Sequence, residues 1–89
     1  MTEKSQDNWY VYMVRCSDQT LYTGIAKNIE KRVSEHNSEK GGARYTRARR
    51  PVTLVYTEPA ASRSEAARRE WQIKKMPLLK KKSLINAKK

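Results

Sequence analysis

Two short runs of aromatic and β-branched residues, Trp9–Cys16 (WYVYMVRC) and Leu21–Ile25 (LYTGI), flank the turn formers Ser17, Asp18, Gln19 and Thr20. Such residues favour a pleated, half-buried surface, and two runs this close in sequence predict an antiparallel β-hairpin. A hairpin alone cannot bury a core, so the rest of the chain must pack against it. Only 89 residues are available, which suits one domain with a single modest core. The register of the hairpin also decides which phenols can act together. Tyr12 and Tyr22 share a face only if paired positions sum to an even number, which demands an odd loop such as Asp18-Gln19-Thr20, or a bulge.

The remaining elements follow from caps and breakers. Residues 1–7 are polar and aperiodic, and are expected to be a disordered lead-in. Asn28 reads as an N-cap, Glu30 adds a negative charge to the first turn, and the helical pattern runs to Glu39 before Gly41 and Gly42. Residues 43–50 show no period and read as a loop. Residues 52–58 form a third strand that Pro59 closes, and Ser62 with Glu65 opens a second helix running to Lys75. Pro77 breaks that helix, leaving a short third one over 78–86 and a frayed basic tail at 87–89. The expectation is one α+β domain over residues 8–86, a three-stranded antiparallel sheet flanked by helices in the order ββαβαα.

The chain carries 20 Lys and Arg against 9 Asp and Glu, a net +11. The first 39 residues are close to neutral, and the excess lies in residues 40–58 and above all in 59–89. A placed basic surface of this kind points to a polyanion, with nucleic acid favoured over membrane because no segment joins a basic face to a long apolar one. The longest apolar run, Trp9–Val14, is too short to span a bilayer, and with a single Cys (Cys16) and a single His (His36) neither a disulfide nor a Cys/His zinc site can be built. These readings predict a soluble protein of the cytoplasm.

Charged groups also fall where the periodicity expects apolar ones. On the first helix Ile29, Arg32, Val33 and His36 share one arc, whereas Lys27, Lys31 and Glu35 point elsewhere. On the second, Ala66, Ala67, Trp71 and Ile73 define the apolar arc and Glu70 falls inside it, with Arg68, Arg69, Gln72 and Lys75 outward. Unpaired buried charge is costly. Either Arg32 and Glu70 form a structural ion pair beside a half-exposed His36, or the three converge with the hairpin phenols on a bound anion. Gly24, two residues after Tyr22, is where a backbone or ligand can approach closely.

The ordered set of Tyr10-Val11-Tyr12, Tyr22-Thr23-Gly24, Arg32, His36 and Glu70 resembles the GIY-YIG nuclease superfamily, over residues 8–76. Gly24–Val33 is similar to the matching run of that superfamily's nucleotide-excision-repair nucleases, and the size and motifs resemble its small, single-domain, largely uncharacterised bacterial branch. The resemblance implies a DNA endonuclease, with a role in DNA repair, that uses one divalent metal, Mg²⁺ or Mn²⁺ in its place. It implies that Glu70 holds the metal, Tyr12 is the general base, Tyr22 positions or assists, Arg32 neutralises phosphate charge, His36 orients the phenol or water, and Gly24 admits close packing at the site. Cations lowering the phenol's pKa would make Tyr12 a usable base. Lys27, Arg44, Arg47, Arg49, Arg50, Lys80, Lys81 and Lys82 are candidates for gripping DNA, or RNA, by its backbone. The protein is expected to act as a monomer. Two departures from the pattern stand out: Tyr10 replaces the first motif's glycine, and Lys82 stands where an asparagine is frequent, with Asn86 the nearest substitute. They leave a non-catalytic nucleic-acid-binding module on the same scaffold as the alternative, and an accessory role in a repair or RNA-processing assembly as a third reading.

Overall fold

In the computed structural model, which describes residues 8–39 and 41–87, the two aromatic runs pair as strands β1 (Trp9–Arg15) and β2 (Leu21–Ala26). The expected lead-in at 1–7 and the final two residues of the expected tail lie outside the described residues. The register sets Tyr12 opposite Gly24 and Val14 opposite Tyr22, so paired positions sum to an even number. The loop is therefore odd, one residue earlier than the expected example: Cys16 N–H donates to Thr20 O (2.8 Å) and Gln19 N–H to Cys16 O (2.9 Å) around Ser17-Asp18-Gln19. Gln19 takes the left-handed conformation (φ 72°) that a three-residue hairpin loop requires at its last position. Asp18 Oδ1 fastens the turn by accepting from Thr20 N–H (3.1 Å) and Thr20 Oγ1–H (2.6 Å). Tyr12 and Tyr22 thus lie on one face.

Asn28 caps helix α1 (Ile29–Asn37) through Oδ1, which accepts from Lys31 N–H at 3.0 Å. The helix stops two residues before Glu39, because Ser38 turns extended and its N–H and hydroxyl both bond Glu35 O. The stretch expected to be a loop contains a single helical turn, α2 (Arg44–Arg47), held by a tertiary contact rather than by any period: Thr46 is fully buried against α1.

Strand β3 (Thr53–Ala60) runs through Pro59 instead of closing at it. The sheet order is β2-β1-β3, so β3 is an edge strand, where a residue without an N–H is tolerated. A register shift between Met13 and Val14 marks a bulge in the β1–β3 pairing. Asn37 ties the end of α1 to this strand's entry, donating to Val52 O (3.1 Å) and accepting from Val52 N–H (2.7 Å). Ser62 caps α3 (Arg63–Lys74) by accepting from Glu65 N–H at 3.1 Å, and α4 (Leu78–Ala87) follows Pro77, one residue longer than expected.

The central sheet separates two apolar clusters. On one face Val11, Met13 and Tyr56 pack with Ala66 and Ile73 of α3 and Ile85 of α4. On the other, Tyr12, Val14, Cys16, Ala26 and Val52 pack against Tyr22 and against Ile29 and Val33 of α1. The fold is α+β, as expected. Two assignments on α3 are corrected. Trp71 is 61% exposed and contributes nothing to the core, its ring instead lying under Lys75 Nζ (4.4 Å to the centroid). Arg69, expected to face solvent, turns back to the sheet, where its Nε donates to Glu58 Oε2 at 2.8 Å and Glu58 also accepts from the Tyr56 hydroxyl.

Candidate active site

The site grows from the direct pairing of Tyr12 with Gly24. A Cβ at Gly24 would stand 2.6 Å from Tyr12 Oη and 2.7 Å from Cζ, so the glycine is what lets the phenol lie across β2. So laid, Tyr12 is 1% exposed and reaches α1, where its oxygen is 2.6 Å from His36 Nε2. His36 is itself fully buried. Its Nδ1 is 2.8 Å from Thr46 Oγ1 and accepts from Ala43 N–H at 3.3 Å. Gly42 holds that loop against the helix: it adopts φ 83°, and a Cβ there would lie 2.6 Å from His36 Cα.

Tyr22 meets the same imidazole edge-on, with ring centroids 5.3 Å apart, and stacks on Tyr45 at 5.9 Å. Arg49 caps that stack with its guanidinium 4.0 Å from the Tyr45 centroid. Arg32 is half-buried, donates to Glu35 at 2.9 Å, and acts on the Tyr12 phenol. Glu70 comes from α3. Its charge is felt at Tyr12, and its Oε2 is 3.0 Å from Lys74 Nζ, which lies 5.7 Å from the Tyr22 ring centroid. The anticipated Arg32–Glu70 ion pair is therefore not made. Arg32 pairs with Glu35, which had been placed on the outward arc, and Glu70 pairs with Lys74. A cavity of about 270 Å³ opens beside these groups, lined by Leu21, Tyr22, Thr23, Tyr45, Lys74 and Lys81.

Electrostatics at the phenol run against the sequence-based expectation. Burial is the dominant influence and pushes Tyr12 up to about 12, while Arg32 pulls the other way without prevailing. Burial, then Arg32, holds the His36 imidazole below its ordinary value, so it is neutral at physiological pH. Burial likewise pushes the Cys16 thiol up.

Of the expected nucleic-acid contacts, Arg44 and Arg47 on α2 are exposed, as are Lys27, Lys80 and Lys82; Lys81 is half-buried at the cavity. Arg49 and Arg50 are instead engaged within the fold. Arg49 donates to Asp18 Oδ2 (3.0 Å) and to Tyr45 O (2.8 Å), and Arg50 donates to Ser38 O. Lys82 and Asn86 line a different cavity, with Arg15, Gln19 and Thr53. Sequence reasoning missed Thr46, Ala43 and Lys74. Lys74 had a readable signal, its i,i+4 spacing from Glu70; Thr46 had none.

Residues 8–82 match the GIY-YIG catalytic domain. The chain belongs to the GIY-YIG family. Among its relatives are UPF0213 proteins of Desulfotalea psychrophila, 53% identical over 96% of this chain and 77% of that one, and of Syntrophus aciditrophicus, 58% identical over 85% and 87%. The fold is similar to the solution NMR structure of a UPF0213 protein from Bacillus halodurans, with 41% identity, a TM-score of 0.58, and coverage of 91% of this chain and 85% of that one. Membership in this family of nuclease domains points to nuclease chemistry and a nucleic-acid partner. Among the described residues, no helix is long and apolar enough to cross a membrane.

The same GIY-YIG site can be tested for a metal. Among the described residues no three His, Cys, Asp or Glu side chains gather into a cage, so Glu70 belongs to no such cluster. That suits Mg²⁺, which keeps several waters and takes phosphate oxygens beside one or two carboxylates; it does not suit a structural zinc.

Proposed function

We propose that this GIY-YIG domain is a DNA endonuclease that adds water across a phosphodiester bond with Tyr12 as general base and one Mg²⁺, or Mn²⁺, held by Glu70. The observation that carries this reading is the 2.6 Å contact between the buried Tyr12 oxygen and His36, on a phenol that also feels Arg32 and Glu70. Three of the motif residues, His36, Arg32 and Glu70, thereby act on the oxygen of a fourth, Tyr12.

Tyr12 can accept a proton from water only as phenolate. Ionising a phenol whose pKa is about 12 costs about 7 kcal/mol at neutral pH. Positive charge is what reduces that cost, and Arg32 is already placed to supply part of it. A divalent ion at Glu70 would add Lewis acidity and further positive charge at the phosphate. Arg32 neutralises charge that develops on the phosphate, Tyr22 packs His36 in place, and Gly24 leaves room for the phenol. The exposed Arg44 and Arg47, with Lys27 and the Lys80–Lys82 run, hold the backbone by charge.

One observation favours the alternative of a binding module without cleavage: Lys74 already satisfies the Glu70 carboxylate at 3.0 Å. The deciding experiment is a cleavage assay on branched, nicked and single-stranded DNA with Mg²⁺ or Mn²⁺. The nuclease reading expects cutting that is lost in Glu70→Gln and Tyr12→Phe while DNA affinity persists. Its rate should rise about tenfold per pH unit through neutrality, as the phenolate fraction does. Salt-sensitive binding without cutting by any variant refutes it.

A further inference from the structure

A neutral imidazole carries one proton on two nitrogens, so the groups facing those nitrogens decide which of them donates. Two groups face His36 Nδ1. Ala43 N–H is the rigid one: a backbone amide can only donate, it lies 3.3 Å away, and Gly42 at φ 83° fixes its direction. A proton on Nδ1 would point at that amide hydrogen. The other is the fully buried Thr46 hydroxyl at 2.8 Å, which has one hydrogen and two acceptors in reach, Nδ1 and Ala43 O (3.0 Å). Ala43 O already accepts from Thr46 N–H and Arg47 N–H, both at 3.1 Å, so it does not need the hydroxyl. An unprotonated Nδ1 does, since otherwise two lone pairs would face each other at 2.8 Å.

We propose that the α2 turn is a tautomer clamp, in which Ala43 N–H and Thr46 Oγ1–H both donate to His36 Nδ1 and force the ring proton onto Nε2, where it is donated to the Tyr12 oxygen. Tyr12 then accepts from His36, with the Arg32 guanidinium acting on the same phenol. An oxygen so surrounded by donors is stabilised as phenolate and keeps its own hydrogen directed away from the imidazole. Thr46 is accordingly a positioning residue for proton transfer, acting through His36. The role in catalysis rests on the nuclease reading; the tautomer does not.

The chain has a single histidine, so long-range ¹H–¹⁵N correlation spectra of the uniformly labelled full chain report His36 alone, with neither metal nor DNA present. The expected result is a protonated Nε2 and an unprotonated Nδ1; a protonated Nδ1 overturns the proposal. Thr46→Val keeps the shape and removes one of the two donors. It should shift the tautomer ratio toward Nδ1–H by about two- to tenfold, the range one net hydrogen bond supplies, and lower kcat with KM unchanged. Thr46→Ser should restore both. An unshifted ratio in a folded Thr46→Val overturns the role of Thr46, and if that variant does not fold, the wild-type spectrum still decides the clamp. Nε2–H in a wild type that never cuts DNA supports the clamp and refutes the nuclease.

Discussion

Replacing Gly24 with alanine adds one methyl group where the Tyr12 ring already lies. The new Cβ would be 2.6 Å from Oη and 2.7 Å from Cζ, both inside the distance any carbon tolerates, and these atoms belong to a ring that is 1% exposed and bonded to His36. The ring has no open space to enter, so either β2 bends or the phenol leaves His36. Overpacking of a tight core costs about 1–3 kcal/mol, and losing the buried Tyr12–His36 bond adds about 1 kcal/mol. A total of about 2–4 kcal/mol in a domain this small lowers Tm by at least about 8 °C. Thermal and urea denaturation of Gly24→Ala measure it directly. A double-mutant cycle isolates the cause, because in a Tyr12→Leu background the methyl has no ring to meet and should cost less than about 1 kcal/mol. A Gly24→Ala protein within about 0.5 kcal/mol of wild type, with unchanged His36 resonances, would refute the claim that the glycine exists to seat the phenol.

Lys74→Met removes the ammonium bonded to Glu70 and should tighten Mg²⁺ or Mn²⁺ binding by about twofold and no more than about fivefold, the range of a partly exposed ion pair, whereas Glu70→Gln abolishes it; calorimetry reads both. Stability should fall at both pH extremes. Below about 6.5 the unfolded chain protonates His36 while the buried imidazole resists, and above about 10 the unfolded chain ionises Tyr12 while the folded one waits until about 12, so equilibrium denaturation should weaken in each window and His36→Gln and Tyr12→Phe should each flatten their own. In salt titrations of DNA binding, the Arg44→Gln/Arg47→Gln double variant should reduce the log–log slope by about 2 if both arginines contact phosphates. Arg49→Gln should lower Tm and leave that slope unchanged, because Arg49 is held by Asp18 and Tyr45.

The parts of the fold that local chemistry decides were legible from residues alone. Asn28 and Ser62 are caps because a side-chain oxygen meets an amide three residues on, and that requirement is local. For Tyr12 and Tyr22 the sequence set only the condition, an odd hairpin loop, and the register that meets it comes from the structure. What could not be read is tertiary. The α2 turn has no periodicity because Thr46 orders it from the side, through His36. Pro59 does not close β3 because β3 is an edge, a fact of the sheet order that the sequence does not state. The inward arc of α3 misplaced Trp71 and Arg69 because the roll of a short, charge-rich helix is set by its anchors rather than by its mean hydropathy. The site was legible as a set of residue types, but its bonding was not: Arg32 and Glu70 found nearer partners on their own helices, one turn away.

That roll bears on the site itself. Arg69 and Glu70 are consecutive, about 100° apart around α3, so fixing one direction fixes the other. Arg69 binds Glu58, which pairs with Val11 on β1 and is held again by Tyr56, and this anchors one side of the helix to the sheet. Glu70 is thereby carried toward the β2 edge, where Lys74, one turn on, lies by the Tyr22 ring. The Arg69–Glu58 pair is half-buried, so it resists helix rotation more firmly than a surface ion pair would. Arg69→Met keeps the aliphatic packing and removes the anchor. It should leave the Tyr12–His36 bond intact, since neither residue lies on α3, while weakening divalent binding at Glu70 as the helix gains freedom to roll. Metal affinity equal to wild type in a folded Arg69→Met would show that packing of Ala66 and Ile73 alone aims the carboxylate.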